Sequence, residues 1–194
     1  MVPRAPFPLI MRRMKRTLLA AALLLLPAFC TTGATLEGPD VVILRQMPFF
    51  AQETYQCGPA ALATVVDYWQ GKLRKGTWIS PDEIAAAIYS PSARGVLTLD
   101  LEAYARKRGF EATQYSGSLD DLKRQIDRGV PAIILVDYGF SLYEANHFMV
   151  VKGYSSDGVI VNSGRRENQL LPEGELQKIW KKTRRWTLVL KPSV

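Results

Sequence analysis

The chain has 194 residues, of which 47% are hydrophobic, and its 25 Lys and Arg against 18 Asp and Glu give a formal net charge of +7. This length and apolar fraction exclude a disordered protein and predict one domain with its own core. Five basic residues and no acidic residue precede residue 35, namely Arg4, Arg12, Arg13, Lys15 and Arg16. The remaining chain, with 20 basic and 18 acidic residues, has a net charge of only +2. This near-neutral body argues against a nucleic-acid-binding protein.

The first 34 residues have the pattern of an export signal. The basic string "MRRMKR" precedes the apolar run "TLLAAALLLLPAF", which is shorter than a bilayer-spanning helix. We therefore expect residues 1–34 to be a signal peptide and residues 35–194 to be the exported domain. Translation from Met11 or Met14 would shorten the basic part without changing this interpretation.

Two processing routes are open at the end of this signal. Cleavage before Thr35 would release a periplasmic or secreted domain, whereas "LPAFC" resembles a lipoprotein box in which Cys30 carries the lipid. An uncleaved membrane anchor is the third alternative. In each case we expect an exported protein facing the periplasm, with membrane contact only through the signal or a lipid on Cys30.

The elements then follow in chain order, helices before strands. After a short strand in "DVVILRQMPFF", apolar residues recur every three or four positions from Cys57 to about Gln70, which predicts a helix with Gly71 as its stop. Further helices are indicated by "SPDEIAAAIYS", "TLDLEAYARKRG" and "SLDDLKRQIDRG", the last two ending at Gly109 and Gly129. Beyond Pro131 the runs "AIILV", "HFMVVKGY", "GVIVNS" and "RWTLVL" predict strands. We predict an α+β domain with N-terminal helices packed on a C-terminal antiparallel sheet.

Three polar residues lie at the ends of these elements and together indicate nucleophilic catalysis. Cys57, the only thiol beyond the signal, begins the first helix, whose positive end favours a thiolate. The only histidine, His147, begins one strand, and Asn162 ends the next, so a hairpin around "SSDG" would bring them to the same end. A cysteine nucleophile needs a base and a group that fixes the base, and Cys57, His147 and Asn162 match these roles in order.

The same loop offers donors for an oxyanion hole. The side-chain amide of Gln52 can act with the backbone N–H of Cys57, and Gln56 is the alternative. Gly58 would let a substrate approach the backbone closely. Taken singly, a buried thiol, a structural histidine and a turn-forming asparagine are the ordinary interpretations, and only their combination indicates a catalytic site. This chemistry requires no metal or cofactor.

The strings "QETYQCGPAAL" and "NHFMVVKGYSSDGVIVNS" resemble the two signature regions of the bacteriocin-processing, double-glycine peptidase family, a branch of the papain-like cysteine peptidases. The resemblance covers about Met47 to Pro192 and implies a papain-like fold. It also implies Cys57 as nucleophile, His147 as base, Asn162 as orienting residue and Gln52 as oxyanion-hole side chain. Because the sequence has no "GxxxxGK" nucleotide site, it resembles a stand-alone exported member without the ABC transporter part.

The expected function is therefore an exported bacterial cysteine peptidase that hydrolyses peptide bonds. The resemblance implies a small residue such as Gly before the cut and an exported peptide or protein as substrate, handled by a dedicated secretion system. Two alternatives use the same residues. A papain-like acyl or amide transferase would resolve the acyl-enzyme with an amine, and a peptide-binding module would keep the site without turnover.

Overall fold

The computed structural model describes residues 40–52, 56–141 and 143–193. The chain divides into two units, Met1–Ala34 and Thr35–Val194, and the described residues all belong to the second. The predicted signal and Cys30 lie outside the described residues. Within the described part of the chain, no helix is long and apolar enough to cross a membrane.

In these ranges, five α-helices and one short 3₁₀-helix lie on one seven-stranded sheet. The helices are α1 (Cys57–Leu73), α2 (Pro81–Ile88), α3 (Thr98–Lys107), α4 (Leu119–Asp127) and α5 (Glu173–Trp180), followed by the 3₁₀-helix Lys181–Thr183. The strands are β1 (Val42–Ile43), β2 (Phe110–Ser116), β3 (Ala132–Asp137), β4 (Asn146–Tyr154), β5 (Gly158–Ser163), β6 (Arg166–Pro172) and β7 (Trp186–Pro192).

The sheet is antiparallel throughout, in the order β2-β7-β3-β4-β5-β6, with β1 paired to β4. Its two faces bury separate apolar clusters. Helix α1 lies over one face, where Val65 and Val66 pack with Phe148 and Val150 of β4. On the other face, the alternate residues Met149 and Val151 pack in the cluster that includes α4 and α5.

Start and stop signals in the sequence correctly predicted several helix ends. The Ser80 hydroxyl accepts a hydrogen bond from the backbone N–H of Glu83 at the start of α2, and Ser118 caps α4 through Asp121 in the same way. Gly109 and Gly129, predicted as stops, have φ values of +86° and +75°. The predicted "SSDG" turn joins β4 to β5.

Three details of the predicted order are wrong. Helix α1 continues past Gly71 to Leu73 and ends at Arg74, which adopts the left-handed conformation. Strand β2 lies between α3 and α4, where no strand was predicted. Strand β6 was also missed, because the segments "FEATQYS" and "RENQLLP" carry few β-branched residues and owe their conformation to pairing with β7 and β5.

Candidate active site

Cys57 is the first residue of α1, at the positive end of a 17-residue helix buried over most of its length. No side chain of the described residues caps this helix start, and Pro59 has no N–H to donate. The first backbone bond in the helix joins the N–H of Ala60 to the carbonyl of Gln56. The backbone N–H groups of Cys57 and Gly58 are therefore the donors that the helix start can offer to a developing negative charge.

The environment of the Cys57 thiol acts in two directions. Burial raises the pKa of the thiol, and this effect exceeds the opposing effect of the backbone N–H groups of Phe148, Gly58 and Cys57. The resting thiol is consequently neutral at pH 7. The same N–H groups favour the thiolate once the proton has been removed.

Gly58 has a packing role that the sequence did not indicate. A Cβ built on Gly58 would lie 2.2 Å from Cγ2 of Val96 and 3.3 Å from Cδ2 of Phe148. Those distances leave no room for a side chain between α1 and the segment that precedes α3. Gly58 therefore lets this segment pack on the nucleophile helix, and close approach of a substrate to the backbone at Gly58 stays a prediction.

His147, predicted to begin a strand, is the second residue of β4 and is half-buried. Its Nε2 lies 3.0 Å from Oγ of Ser163. The ring of Tyr138 lies on its flank, with ring centroids 6.2 Å apart. Burial lowers the pKa of the imidazole, so the ring is neutral at pH 7. An Nε2–H that donates to Ser163 leaves Nδ1 as the acceptor for a thiol proton.

Asn162 does not make the predicted hydrogen bond to His147 in the structure. Asn162 is 3% exposed, and its Oδ1 accepts a hydrogen bond from the backbone N–H of Asn168, at 3.1 Å. Its Nδ2 has no hydrogen-bond partner in the described part of the chain. The hydrogen bond expected to fix the imidazole is made by Ser163 in place of Asn162.

The register of the β4–β5 hairpin explains this difference. Val150 stands opposite Asn162, so both side chains project to the same face of the sheet. His147 lies three residues before Val150 and projects to the other face, which Ser163 shares because it follows Asn162 by one position. The hairpin end was predicted correctly, but side-chain alternation along β5 places Ser163, and not Asn162, on the face of His147.

The two glutamines near the nucleophile differ in what they contact. Gln52 lies in the cleft beside Cys57, its backbone N–H donates to the carbonyl of Gly164 at 3.0 Å, and its buried Oε1 has no hydrogen-bond partner among the described residues. The Nε2 of Gln56 instead donates to Oδ1 of Asp82 at 2.8 Å, on helix α2. The geometry thus favours Gln52 over Gln56 as an oxyanion donor.

These residues line one cleft of about 610 Å³. Cys57, His147 and Gln52 meet there with Gly164 at one side and residues 93–99, before and at the start of α3, at the other. In the described part of the chain no hydrogen bond joins the thiol to the imidazole, and no cluster of His, Cys, Asp and Glu could hold a metal ion. A thiol and a neutral base thus share a cavity large enough for a peptide segment.

The Peptidase_C39 like family model matches residues 40–187, which is most of the chain. The chain belongs to the Peptidase_C39-like family. This membership makes it a protein of the cysteine-peptidase type, related to double-glycine peptidases, as the sequence resemblance indicated. No protein of curated function matches the chain.

Solved structures of Peptidase_C39-like proteins share the fold. A putative C39-like peptidase from Bacillus anthracis has a TM-score of 0.65 at 16% identity, covering 79% of this chain and 98% of its own. The peptidase domain of Streptococcus ComA, a bifunctional ABC transporter of a quorum-sensing pathway, has a TM-score of 0.61 at 22% identity, covering 76% and 98%.

A third solved structure, a double glycine motif protease from an AMS/PCAT transporter in complex with a leader peptide, has a TM-score of 0.59 at 24% identity. It covers 76% of this chain and 93% of its own. These likenesses confirm the predicted α+β, papain-like peptidase fold, with helices on an antiparallel sheet.

Proposed function

We propose that this chain is an active cysteine peptidase that hydrolyses peptide bonds in exported peptides or proteins. The observation that carries the proposal is the shared cleft in which Cys57, His147 and Gln52 meet at the start of the nucleophile helix. Membership of the Peptidase_C39-like family supports the same reaction class. The geometry further supports Ser163, in place of Asn162, as the group that fixes the imidazole.

The first step is proton transfer within the cleft. His147 Nδ1 takes the proton from the Cys57 thiol, and Sγ forms a bond to the scissile carbonyl carbon. The contact between Nε2 and Ser163 Oγ holds the ring in place. With Nε2–H as the donor, Nδ1 is free to accept the thiol proton, and the same bond persists when the ring becomes positively charged. Because burial disfavours the charged form of both groups, we expect the ion pair to form as the substrate reacts.

The second step is collapse of the tetrahedral intermediate. Its oxyanion lies at the helix start, where the backbone N–H of Cys57 and the side-chain amide of Gln52 donate hydrogen bonds. The C–N bond breaks as His147 returns its proton to the leaving amine. Water then attacks the thioester with His147 again as base, and the carboxylate product leaves with the thiol restored.

The sequence of residues 1–34 supports export, and a related structure supports the class of substrate. The basic and apolar pattern of residues 1–34 supports export to the periplasm, as a cleaved domain or as a lipoprotein at Cys30. The related transporter protease binds a leader peptide, which supports a peptide substrate with a small residue such as Gly before the cut. A dedicated secretion system would supply that peptide.

The test is capture of Cys57 by a substrate-like electrophile. The purified protein is treated with a peptidyl chloromethyl ketone ending in Gly-Gly, and the adduct is measured by intact mass with His147→Ala and Cys57→Ala as controls. We expect adduct formation that is lost in Cys57→Ala and slowed in His147→Ala. Cleavage of a Leu-Gly-Gly-Asp-Ala-Ala peptide should require both residues.

The alternatives predict other results in the same experiment. Equal labelling of wild type and His147→Ala, with no peptide cleaved, would indicate a peptide-binding module. With glycinamide added to the peptide reaction as an amine acceptor, products that carry glycinamide in place of a free carboxylate would indicate an acyl transferase.

A further inference from the structure

A row of exposed aromatic residues extends from the imidazole of His147 along the hairpin that joins β3 to β4. Phe140 and Tyr143 are 87% and 85% exposed, which makes them the most exposed large hydrophobic side chains in the described part of the chain. Tyr138, nearer to the strands, is 47% exposed. We call Tyr138, Phe140 and Tyr143 the aromatic strip. Large apolar side chains that are exposed together indicate a binding surface.

The register of the hairpin places the aromatic strip on the face that carries His147. Val136 stands opposite His147, and Phe140 pairs with Tyr143 in continuation of the same register. Side chains that stand opposite each other, or two residues apart, share a face. The ring of Tyr138 accordingly lies 6.2 Å from the imidazole ring, measured between centroids. At about 3.3 Å per residue, the strip reaches about 13 Å beyond the imidazole.

Contacts at the base of the hairpin hold its two arms together. The Oδ1 of Asp137 accepts hydrogen bonds from the backbone N–H groups of Gly139 and Ala145, one on each arm, at 2.7 and 2.8 Å. Lys182 donates a hydrogen bond to the carbonyl of Gly139. A Cβ built on Gly139 would overlap the carbonyl oxygen of Tyr143, so the arms pack closely. The strip is therefore carried by an ordered hairpin, which lowers the entropy cost of binding.

The chemistry of the proposed function determines which part of a substrate meets the aromatic strip. His147 must protonate the leaving amine, so the residues after the scissile bond lie on the imidazole side. The acyl part lies at Cys57, in the cleft lined by residues 93–99. The strip begins beside the imidazole at Tyr138 and therefore adjoins the leaving portion. An extended peptide would reach the far end of the strip with about its fourth leaving residue.

We propose that the aromatic strip binds apolar side chains in the part of the substrate that follows the cut. This inference rests on the proposed function, and it names a feature of the substrate that family membership does not supply. Aromatic rings offer a large contact area to an apolar side chain. The strip continues from the base that protonates the leaving amine, which favours the substrate over a membrane or a second copy of the chain as its occupant.

The test compares two internally quenched peptides that differ only after the cut, Leu-Gly-Gly-Ala-Leu-Ala-Leu-Ala and Leu-Gly-Gly-Ala-Ser-Ala-Ser-Ala. We expect wild-type kcat/KM to be about tenfold higher for the Leu peptide, mainly through KM, as for partial burial of two leucine side chains. Phe140→Ser combined with Tyr143→Ser should remove this preference, whereas Phe140→Leu combined with Tyr143→Leu should keep it. Leu73→Ser is the matched control and should also keep it, because Leu73 is 47% exposed at the end of α1 opposite Cys57.

Binding to the Cys57→Ala variant gives a second readout that needs no turnover. Its Kd values for the two peptides, measured by fluorescence anisotropy, should show the same preference for the Leu peptide. Adding Phe140→Ser and Tyr143→Ser should remove that preference. Equal kcat/KM and equal Kd for the two peptides in the wild-type background, or a preference that the double Ser variant keeps, would overturn the strip as a substrate surface.

The same proteins distinguish the other occupants of the strip. Cosedimentation with phosphatidylglycerol vesicles, or dimerisation, that is lost in the double Ser variant while both peptides are cleaved equally would assign the strip to a membrane or to a second copy, and would overturn the proposal. The chloromethyl ketone ending in Gly-Gly has no leaving portion. Its failure to label wild-type Cys57 would therefore count against the proposed function, whereas labelling without a peptide preference would overturn only the strip.

Discussion

Ser163 Oγ lies 3.0 Å from Nε2 of His147, while the adjacent Asn162 binds the backbone N–H of Asn168. Ser163 thus contacts the catalytic base, whereas its neighbour on β5, Asn162, makes a hydrogen bond inside the protein. A hydroxyl adds no negative charge beside the ring, so burial alone sets the direction of the His147 pKa. The ring is oriented without being made more basic.

Replacement of Ser163 should impair catalysis without unfolding the protein. In Ser163→Ala the imidazole loses the partner that holds the ring in place, so we expect kcat to fall about 10- to 100-fold, less than for loss of the base itself. Ser163→Thr keeps the hydroxyl and should restore most of the activity. Steady-state kinetics on the Gly-Gly peptide, with thermal unfolding as a check, would decide this, and an unchanged kcat in Ser163→Ala would rule out the positioning role.

Replacement of Asn162 should lower the stability of the protein more than its catalytic rate. Asn162→Ala removes the acceptor for the partly buried N–H of Asn168, which has φ of +55° next to the β5–β6 turn. We expect a loss of about 1–3 kcal/mol in the free energy of unfolding, with kcat reduced less than in Ser163→Ala. Urea denaturation measures the first quantity. A larger loss of kcat in Asn162→Ala than in Ser163→Ala would return the orienting role to Asn162.

The sequence was sufficient to predict the class of fold and the positions of Cys57 and His147, because helix caps and the hairpin turn are local signals. It was not sufficient to distinguish Ser163 from Asn162. That choice depends on strand register, and a shift of one residue exchanges the two faces of the sheet. Strands β2 and β6 were missed because their conformation depends on pairing with distant strands.

The two glutamines offer a matched test of the oxyanion hole. Gln52→Ala removes the side-chain donor in the cleft, so we expect kcat to fall by about 100-fold or more with little change in KM. Gln56→Ala removes a hydrogen bond to Asp82 on the surface and should leave kcat within about twofold. A larger effect of Gln56→Ala on kcat would reverse the assignment.

The pH dependence of kcat/KM should be broad. Activity needs a neutral imidazole to accept the proton, and burial lowers the pKa of His147, so the acid limb should lie below the ordinary value of about 6.5. Burial raises the pKa of Cys57, so loss of the thiol proton should set an alkaline limb above about 8.5.

The two limbs can be assigned by measuring iodoacetamide alkylation of Cys57 over the same pH range. The alkylation rate should increase with pH through the raised thiol pKa, and His147→Ala should leave that increase in place. Substantial alkylation near pH 5 that disappears in His147→Ala would instead show a preformed thiolate–imidazolium pair in the resting protein.

Two glycines of α1 provide a matched pair for the packing of the cleft wall. In Gly58→Ala the new methyl group would lie 2.2 Å from Val96 Cγ2, so α1 or the segment around Val96 must move. We expect the unfolding free energy to fall by about 1–3 kcal/mol, with KM raised because Val96 lines the cleft. Gly71 lies in the same helix, and apart from the local helix backbone a methyl group there would meet no described atom within 4 Å. Gly71→Ala should therefore stabilise the protein by about 0.5–1 kcal/mol.

The double variant Gly58→Ala with Val96→Ala tests whether this contact is the cause. Removing the Val96 methyl groups makes room for the methyl group introduced at position 58, so the two changes should be less harmful together than the sum of the single effects. Urea denaturation of the wild type, both single variants and the double variant gives the interaction free energy. Strict additivity would mean that Gly58 is required for its backbone, as a substrate approaching the helix start would demand, and not for its contact with Val96.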